Sequence, residues 1–346
     1  HRDLHSFPTR RSSDLTDKDT VRATTTRIGK GQQELRDIPQ SVTVVTERLL
    51  DDRNLDTLKD TLRSTAGITF QAAEGQEEDI RLRGFALQST GDIFLDGMRD
   101  PGFYDRDSFN WDRLEVLKGS ASMLFGRGST GGAVNQVNKQ PFGMDQNEFA
   151  LTAGSGNHLR TTVDLNRRTG DDAALRINAV VDIGDDQGNK IDKWGVAPTY
   201  RFGIGTADEF SLGLYHLEYK NGIHFGLPWL DQKAADVWRA DSYYGAESDY
   251  MKGGTTYGTL THTHRFANRD ELRTVLRVAR YERDQRASAI RFCQPGNTGT
   301  PNAQCPQVIE RVTADNIGAD TVLTRGANAP APSASASPAT PVRPTP

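Results

Sequence analysis

An α+β unit followed by antiparallel transmembrane β-barrel strands, too few to close a barrel, is the fold class that this sequence predicts. Three observations carry it. Between Ile38 and Pro141, short apolar segments alternate with helical stretches and many glycines. After Pro141 the pattern changes to long segments in which apolar and polar residues alternate one by one. No run of 18 apolar residues occurs, so no transmembrane helix is expected, and strands need only an apolar stripe to cross a bilayer.

Composition is compatible with that reading without proving it. The 346 residues are 35% hydrophobic with a formal net charge of −4. A barrel sequence looks polar on average because only its outward stripe is apolar. Basic and acidic residues are interspersed, which gives no case for nucleic-acid binding.

Residues 1–15 stand apart. Ser6 to Leu15 resembles a translated sequencing-library adapter, so this stretch is left out of the fold reasoning as an artefact. The natural amino terminus is then expected to be missing, and no signal peptide can be read. Residues 16–36 are polar, rich in Thr, Lys and Arg, and show no helical apolar face, which predicts a flexible arm or linker.

Residues 37–141 predict a compact α+β domain. Val42, Val44 and Val45 make a strand. Asn54 is placed to cap a helix with Leu55, Leu58 and Leu62 on one face, ended by Gly67. Ile68 to Phe70, Ile80 to Arg83, Ile93 to Leu95, Leu114 to Leu117 and Val134 to Val137 supply further short strands, and Asp96-Gly97 suits a tight hairpin turn. Ser120 to Phe125 suits one helical turn. Gly126, Gly128, Gly131 and Gly132 then lie so close together that the backbone must reverse tightly or pack on another backbone. No Gly-Lys-Ser/Thr follows them, which argues against a nucleotide-phosphate loop.

The run Leu114 to Gly119, then Leu124 to Gly128, then Gly131 to Asn135 resembles the plug signature of TonB-dependent outer-membrane receptors. Asp37 to Val45 and Ile80 to Phe85 match the same plug in the same order, with Asp96-Gly97 between. The resemblance is closest to the siderophore receptors, particularly those for catecholates. It implies that the 37–141 domain is a plug enclosed by a barrel. It also implies a TonB-binding box in the arm, for which Thr20, Val21, Arg22, Ala23 and Thr24 fit best, short and extended enough to add to a partner's sheet edge. Arg22 departs from the family's apolar pattern there.

The same resemblance places ligand-facing apices at turns of the plug. Arg83 precedes the Gly84-Phe85 turn, Arg99, Asp100, Phe103, Tyr104 and Arg106 follow the Asp96-Gly97 turn, and Trp111 precedes the strand at Leu114. A ferric catecholate is anionic and aromatic, so it needs cations and flat side chains, which this set supplies. Arg83 and Arg106 are equally able to pair with neighbouring carboxylates instead.

Residues 142–292 predict the first strands of a transmembrane barrel, about seven of the roughly 22 in a plugged transporter. In 174–183, Leu175, Ile177, Ala179, Val181 and Ile183 face one way, while Arg176, Asn178, Val180 and Asp182 face the other. Leu159 to Asn166 and Leu272 to Ala279 alternate likewise. Phe149 to Ala153, Trp194 to Phe202, Phe210 to Tyr219 and Tyr257 to Phe266 complete the set. Short turns such as 169–172 would be periplasmic and long segments such as 220–251 extracellular. Trp194, Tyr200, Tyr215, Tyr219 and Tyr281 are expected to form interfacial girdles. Residues 293–346 read as an extracellular loop or a low-complexity, out-of-frame tail, with Cys293 and Cys305 spaced to close a small disulfide loop.

No catalytic constellation stands out, and no cofactor or resident metal is expected. His262 and His264, on one strand face, read as lumen-lining polar residues. The resemblance therefore implies a receptor fragment of the Gram-negative outer membrane, not an enzyme. Its partners would be TonB, a ferric siderophore with a catecholate favoured, and outer-membrane lipid, with no nucleic acid. Haem, cobalamin or a sugar are the alternative cargoes, and a passive porin or adhesin-like barrel is the alternative class.

Overall fold

The computed structural model describes residues 20–72, 78–102, 104–126, 130–186, 189–223, 229–230, 233–234, 248–268, 270–289 and 308–324. The arm contributes a small antiparallel pair, β1 (Thr25–Thr26) and β2 (Gln33–Glu34). The plug follows with β3 (Ser41–Thr46), α1 (Glu47–Asp52), α2 (Leu58–Arg63), β4 (Ile68–Ala72), β5 (Glu78–Leu82), β6 (Phe85–Ala86) and α3 (Leu87–Thr90). It continues through β7 (Ile93–Leu95), β8 (Met98–Arg99), β9 (Trp111–Lys118), α4 (Ser122–Phe125) and β10 (Gly132–Asn138). Its strands make a five-stranded sheet in the order β3-β9-β10-β7-β8 and a three-stranded sheet, β4-β5-β6.

The central strand β9 is covered on both faces. Leu114 and Val116 pack with Val45, Leu50, Leu58, Leu62 and Ile80. On the opposite face Leu117 packs with Phe94, Phe125 and Ile28 of the arm. The arm expected to be flexible is thus docked from Thr25 onward, because Thr26 and Ile28 are needed to cover a sheet face that would otherwise meet water. Helix α2 is capped by Thr57, whose Oγ1 accepts from the Asp60 amide, rather than by Asn54. Asn54 instead takes a left-handed conformation in the turn after α1, a helix that the apolar spacing did not disclose.

Two expected turns form as their residues require. Asp96 and Gly97 both have positive φ, 52° and 84°, the signature of a two-residue hairpin between β7 and β8. Gly131 and Gly132 pack backbone on backbone: a Cβ at Gly131 would strike the Leu82 carbonyl, and one at Gly132 the Leu117 carbonyl.

The wall is one antiparallel sheet of eight strands. It is made of β11 (Gln146–Gly154), β12 (His158–Arg168), β13 (Ala173–Asp186), β14 (Asn189–Phe202), β15 (Asp208–Asn221), β18 (Tyr250–Arg265), β19 (Glu271–Ala289) and β20 (Val308–Thr324), hydrogen-bonded in that order. The two-residue strands β16 (Trp229–Leu230) and β17 (Lys233–Ala234) lie in the long connection from β15 to β18. β20 adds an eighth strand within residues 293–346, pairing with β19 from Arg273↔Thr324 to Ala289↔Val308. The sheet does not close, and β11 and β20 are its edges. Cys293 and Cys305 lie outside the described residues.

Short turns 169–172 and 203–207 gather at one end of the wall, and the strand ends Asn221, Tyr250 and Ala289 lie at the other. Facing follows the alternation. Val181, Ile183, Leu159, Leu165, Leu276 and Val278 are exposed outward, while Arg160, Arg176, Asp182 and Arg277 are buried on the inner face against the plug. Three expected girdle residues face inward instead. Tyr215, Tyr219 and Tyr281 are buried on the plug side, whereas Trp194 and Tyr200 remain exposed outward. The parity of β18 is fixed by Tyr257, whose hydroxyl receives a bond from Asn138 of the plug. His262 and His264 therefore point outward beside exposed Leu260, not into the lumen.

Candidate functional site

The structure brings together part of the residue set expected to face a ligand. Asp100, Tyr104 and Arg106 form one buried cluster with Tyr281 of the wall. The Asp100 carboxylate accepts from Tyr104 Oη at 2.8 Å, Arg106 Nε at 2.9 Å and Tyr281 Oη at 3.2 Å. The Arg106 guanidinium stacks 4.1 Å from the Tyr104 ring centroid. Burial is the main reason that the Tyr104 phenol is pushed well above its ordinary range, with the Asp100 charge adding to it. This cluster seats the segment after β8 against β19.

The other expected residues are dispersed. Arg99 donates to the carbonyls of Thr90, Gly91 and Phe125, so its guanidinium closes the end of α3. Trp111 is 3% exposed in the plug core and offers packing area rather than an open ring face. Arg83 is exposed at the β5–β6 turn with φ 53°. Phe103 lies outside the described residues. In the arm, Val21 is 56% exposed and neither Thr20 nor Val21 pairs in a sheet, while the Thr20 carbonyl accepts from Thr46 Oγ1 at 2.8 Å.

Buried ion pairs tie the plug to the wall. Asp107 receives Arg160 Nη2 at 2.7 Å and Lys193 Nζ at 3.2 Å, and Arg160 also meets Asp56 and Asp182. Burial opposes the charge on Asp107, but Arg160 and Lys193 overcome it and hold the carboxyl well below the usual range. Burial pushes the neighbouring Asp56 carboxyl up, against the pull of Arg160. Nearer the short turns, Lys139 joins Glu47 at 2.9 Å to Asp164 at 3.3 Å, and Arg176 pairs with Asp164 at 2.6 Å. Burial disfavours the Lys139 charge, yet Glu47 and Asp164 keep its ammonium above the ordinary value.

A second device ties the arm to the hairpin. Glu115, fully buried on β9, accepts from Thr26 Oγ1 at 2.8 Å, the Arg27 amide at 2.7 Å and Asn135 Nδ2 at 2.9 Å. Asn135 Oδ1 in turn accepts from the Gly97 amide at 2.9 Å. A continuous hydrogen-bonded line therefore runs from the β7–β8 turn to the arm. Neither Asp107 nor Glu115 was singled out from the sequence. A lone carboxylate between Leu114 and Val116, and cations recurring on the inward parity of the wall, were the signals that could have found them.

Between the plug and the wall, toward the short turns, lies a cavity of about 820 Å³. Arg27, Lys30, Arg113, Arg176, Arg201, Arg265 and Arg273 supply its cations, with Asp96 and Glu209 among its acids. None of the expected ligand-facing residues that the structure describes lines it. It is a polar, cation-rich cavity on the side of the plug where the arm is docked.

A plug packed against an outward-apolar, inward-polar antiparallel wall is the arrangement of a plugged β-barrel. Residues 34–133 match the TonB-dependent receptor plug domain. The chain is 28% identical over 282 residues to the catecholate siderophore receptor Fiu of Escherichia coli K12, covering 75% of this chain and 37% of Fiu. It is 32% identical over 245 residues to a protein of Acinetobacter baumannii named "Probable TonB-dependent siderophore receptor PiuA", covering 66% of this chain and 33% of PiuA. The crystal structure of the siderophore receptor PiuA from Acinetobacter baumannii superposes with a TM-score of 0.73 at 27% identity, over 79% of this chain and 41% of that one. The chain carries a TonB-dependent receptor plug domain over residues 34–133, and the relatives it resembles are named as siderophore receptors. It spans about a third of the length of the curated relatives it matches.

Proposed function

We propose that this chain supplies the plug and first wall strands of an outer-membrane receptor that binds a ferric siderophore, a catecholate by preference, and imports it with energy transmitted by TonB. The observation that carries the reading is the plug itself, lying against the inner face of the wall and bound to it by buried ion pairs. A passive pore has no use for such a plug. The cation-rich cavity beside the arm suits passage of an anionic chelate. No nucleotide or cofactor is consumed on the chain; TonB would pair with the exposed stretch Thr20 to Thr24 and pull on the arm.

Within the expected ligand set, Arg83 is the exposed cation, while Asp100, Tyr104 and Arg106 hold their segment in place. Arg83→Ala in the complete receptor should weaken ferric-catecholate binding about tenfold, the loss of one charge-assisted contact. Equal dissociation constants for the variant and the parent would move the ligand elsewhere. Val21→Pro should leave binding intact and abolish uptake, because proline removes a donor from the strand that TonB must pair with. Normal uptake by that variant would place the coupling box outside 20–24.

A further inference from the structure

The outward face of the wall carries a feature that import does not use. At the short-turn end, Asp208 opens β15 opposite His264 of β18, and Phe210 stands opposite His262. His262 Nε2 lies 2.9 Å and His264 Nδ1 2.7 Å from the same Asp208 carboxylate oxygen, Oδ1. All three donor atoms lie within 4.8 Å of one another, and all three side chains remain partly open to the outside.

Aromatic neighbours hold both imidazoles. The His262 ring stacks on Phe210 at 4.4 Å and 10°, and Phe210 stacks on Phe202 at 5.1 Å. The His264 ring meets Phe266 edge-on at 4.5 Å. Two histidines at alternate positions of a strand necessarily share a face. Here they are also fixed in orientation beside a carboxylate, which is the preorganisation that a metal site requires.

We propose that Asp208, His262 and His264 form a binding site for a divalent transition-metal cation on the outward face of the wall. Two imidazole nitrogens and one carboxylate oxygen are the donor set of zinc and copper(II) sites, whereas calcium and magnesium call for oxygen donors alone. A tetrahedral ion with bonds of about 2.0–2.2 Å holds its donors roughly 3.3 Å apart. The two His–Asp distances would open by about half an ångström, and the two imidazole nitrogens, now within 4.8 Å of each other, would take the same spacing. The three donors leave a fourth coordination position for a water or another ligand. Such an ion would clasp β15 to β18 at the short-turn end, and it is separate from the iron cargo, which travels inside the wall.

The test titrates the full chain in detergent with copper(II) chloride and zinc chloride by calorimetry, and records the copper electron paramagnetic resonance spectrum. One ion per chain is expected, copper tighter than zinc, with nitrogen coupling from two imidazoles. His264→Ala should weaken binding about tenfold or more, since even outer-shell partners of metal ligands are worth that much. The double variant His262→Ala/His264→Ala should abolish it. His216→Ala, on the same outward face but bonded to Thr256 and packed beside Trp194, should change nothing. A parent spectrum lacking two-imidazole coupling would overturn the site without reliance on any variant. So would undiminished binding by the double variant, which would assign the ion to other histidines.

Discussion

Replacing Asp107 by alanine is expected to loosen the plug from the wall more than any other single substitution in the chain. The change leaves Arg160 and Lys193, each 4% exposed, without their shared carboxylate, and also removes the acceptor for the Phe109 amide. Breaking a buried pair by deleting one partner costs about 3–5 kcal/mol. The lower end applies, because Asp56, Asp182 and Asp105 still face the two cations. Acid should act on the same contact. Folding holds the Asp107 carboxyl below its unfolded value of about 4, so its contribution is complete above that pH and is lost as the pH falls through the lower folded value. Thermal unfolding of the complete receptor across pH 2–7 checks both points. Asp107→Ala should melt lower at neutral pH and lose less on acidification than the parent, and superimposable profiles would remove Asp107 from the account.

Glu115→Ala is expected to free the arm while leaving the plug core in place. It strands the buried Thr26 hydroxyl and one buried Asn135 amide proton, and the partly buried Arg27 amide. A buried donor left unsatisfied costs about 1–3 kcal/mol, so losing three partners together should outweigh what docking the arm contributes. Trypsin should cut after Arg27 much faster in the variant than in the parent, and the Arg27 amide should exchange more quickly. Ile28, packed under Leu117, is the contact that opposes release. Unchanged cleavage would mean that this apolar contact alone holds the arm.

The parts of the fold that were legible in the sequence are those where a face has one chemistry. In β13, leucine, isoleucine and valine on one parity and Arg176, Asn178 and Asp182 on the other mark which side faces outward and which faces the plug. In β18 both parities are mixed: Thr259, Thr261 and Thr263 face the plug, while Leu260, His262 and His264 face out. Long-range contacts of Tyr257, the bond from Asn138 and the stack on Tyr215, settle the phase, and no local pattern contains them. The same limit explains Tyr215, Tyr219 and Tyr281, amphipathic side chains that suit a membrane interface or a plug equally well. The glycines of 126–132 announced close backbone approach, and that is what Gly131 and Gly132 provide.

The candidate site was legible in outline only. The segment after the Asp96-Gly97 turn was marked by its charges and aromatics, but a guanidinium reads alike whether it awaits an anion or caps a helix. Arg99 is committed to three carbonyls and Arg106 to Asp100, contacts decided by the tertiary fold. The eighth wall strand was missed because Val308 to Thr324 mixes Gly, Asp and Asn with its β-branched residues, a composition that weakens a strand signal.

The most direct test of the central claim is uptake of radioiron presented as a ferric catecholate by iron-starved cells that produce the complete receptor, compared in strains with and without TonB. The account predicts saturable uptake that requires both the receptor and TonB, with binding to the cell surface preserved when TonB is absent. Uptake that continues at the same rate without TonB, or a receptor that binds no ferric catecholate in either strain, would contradict it.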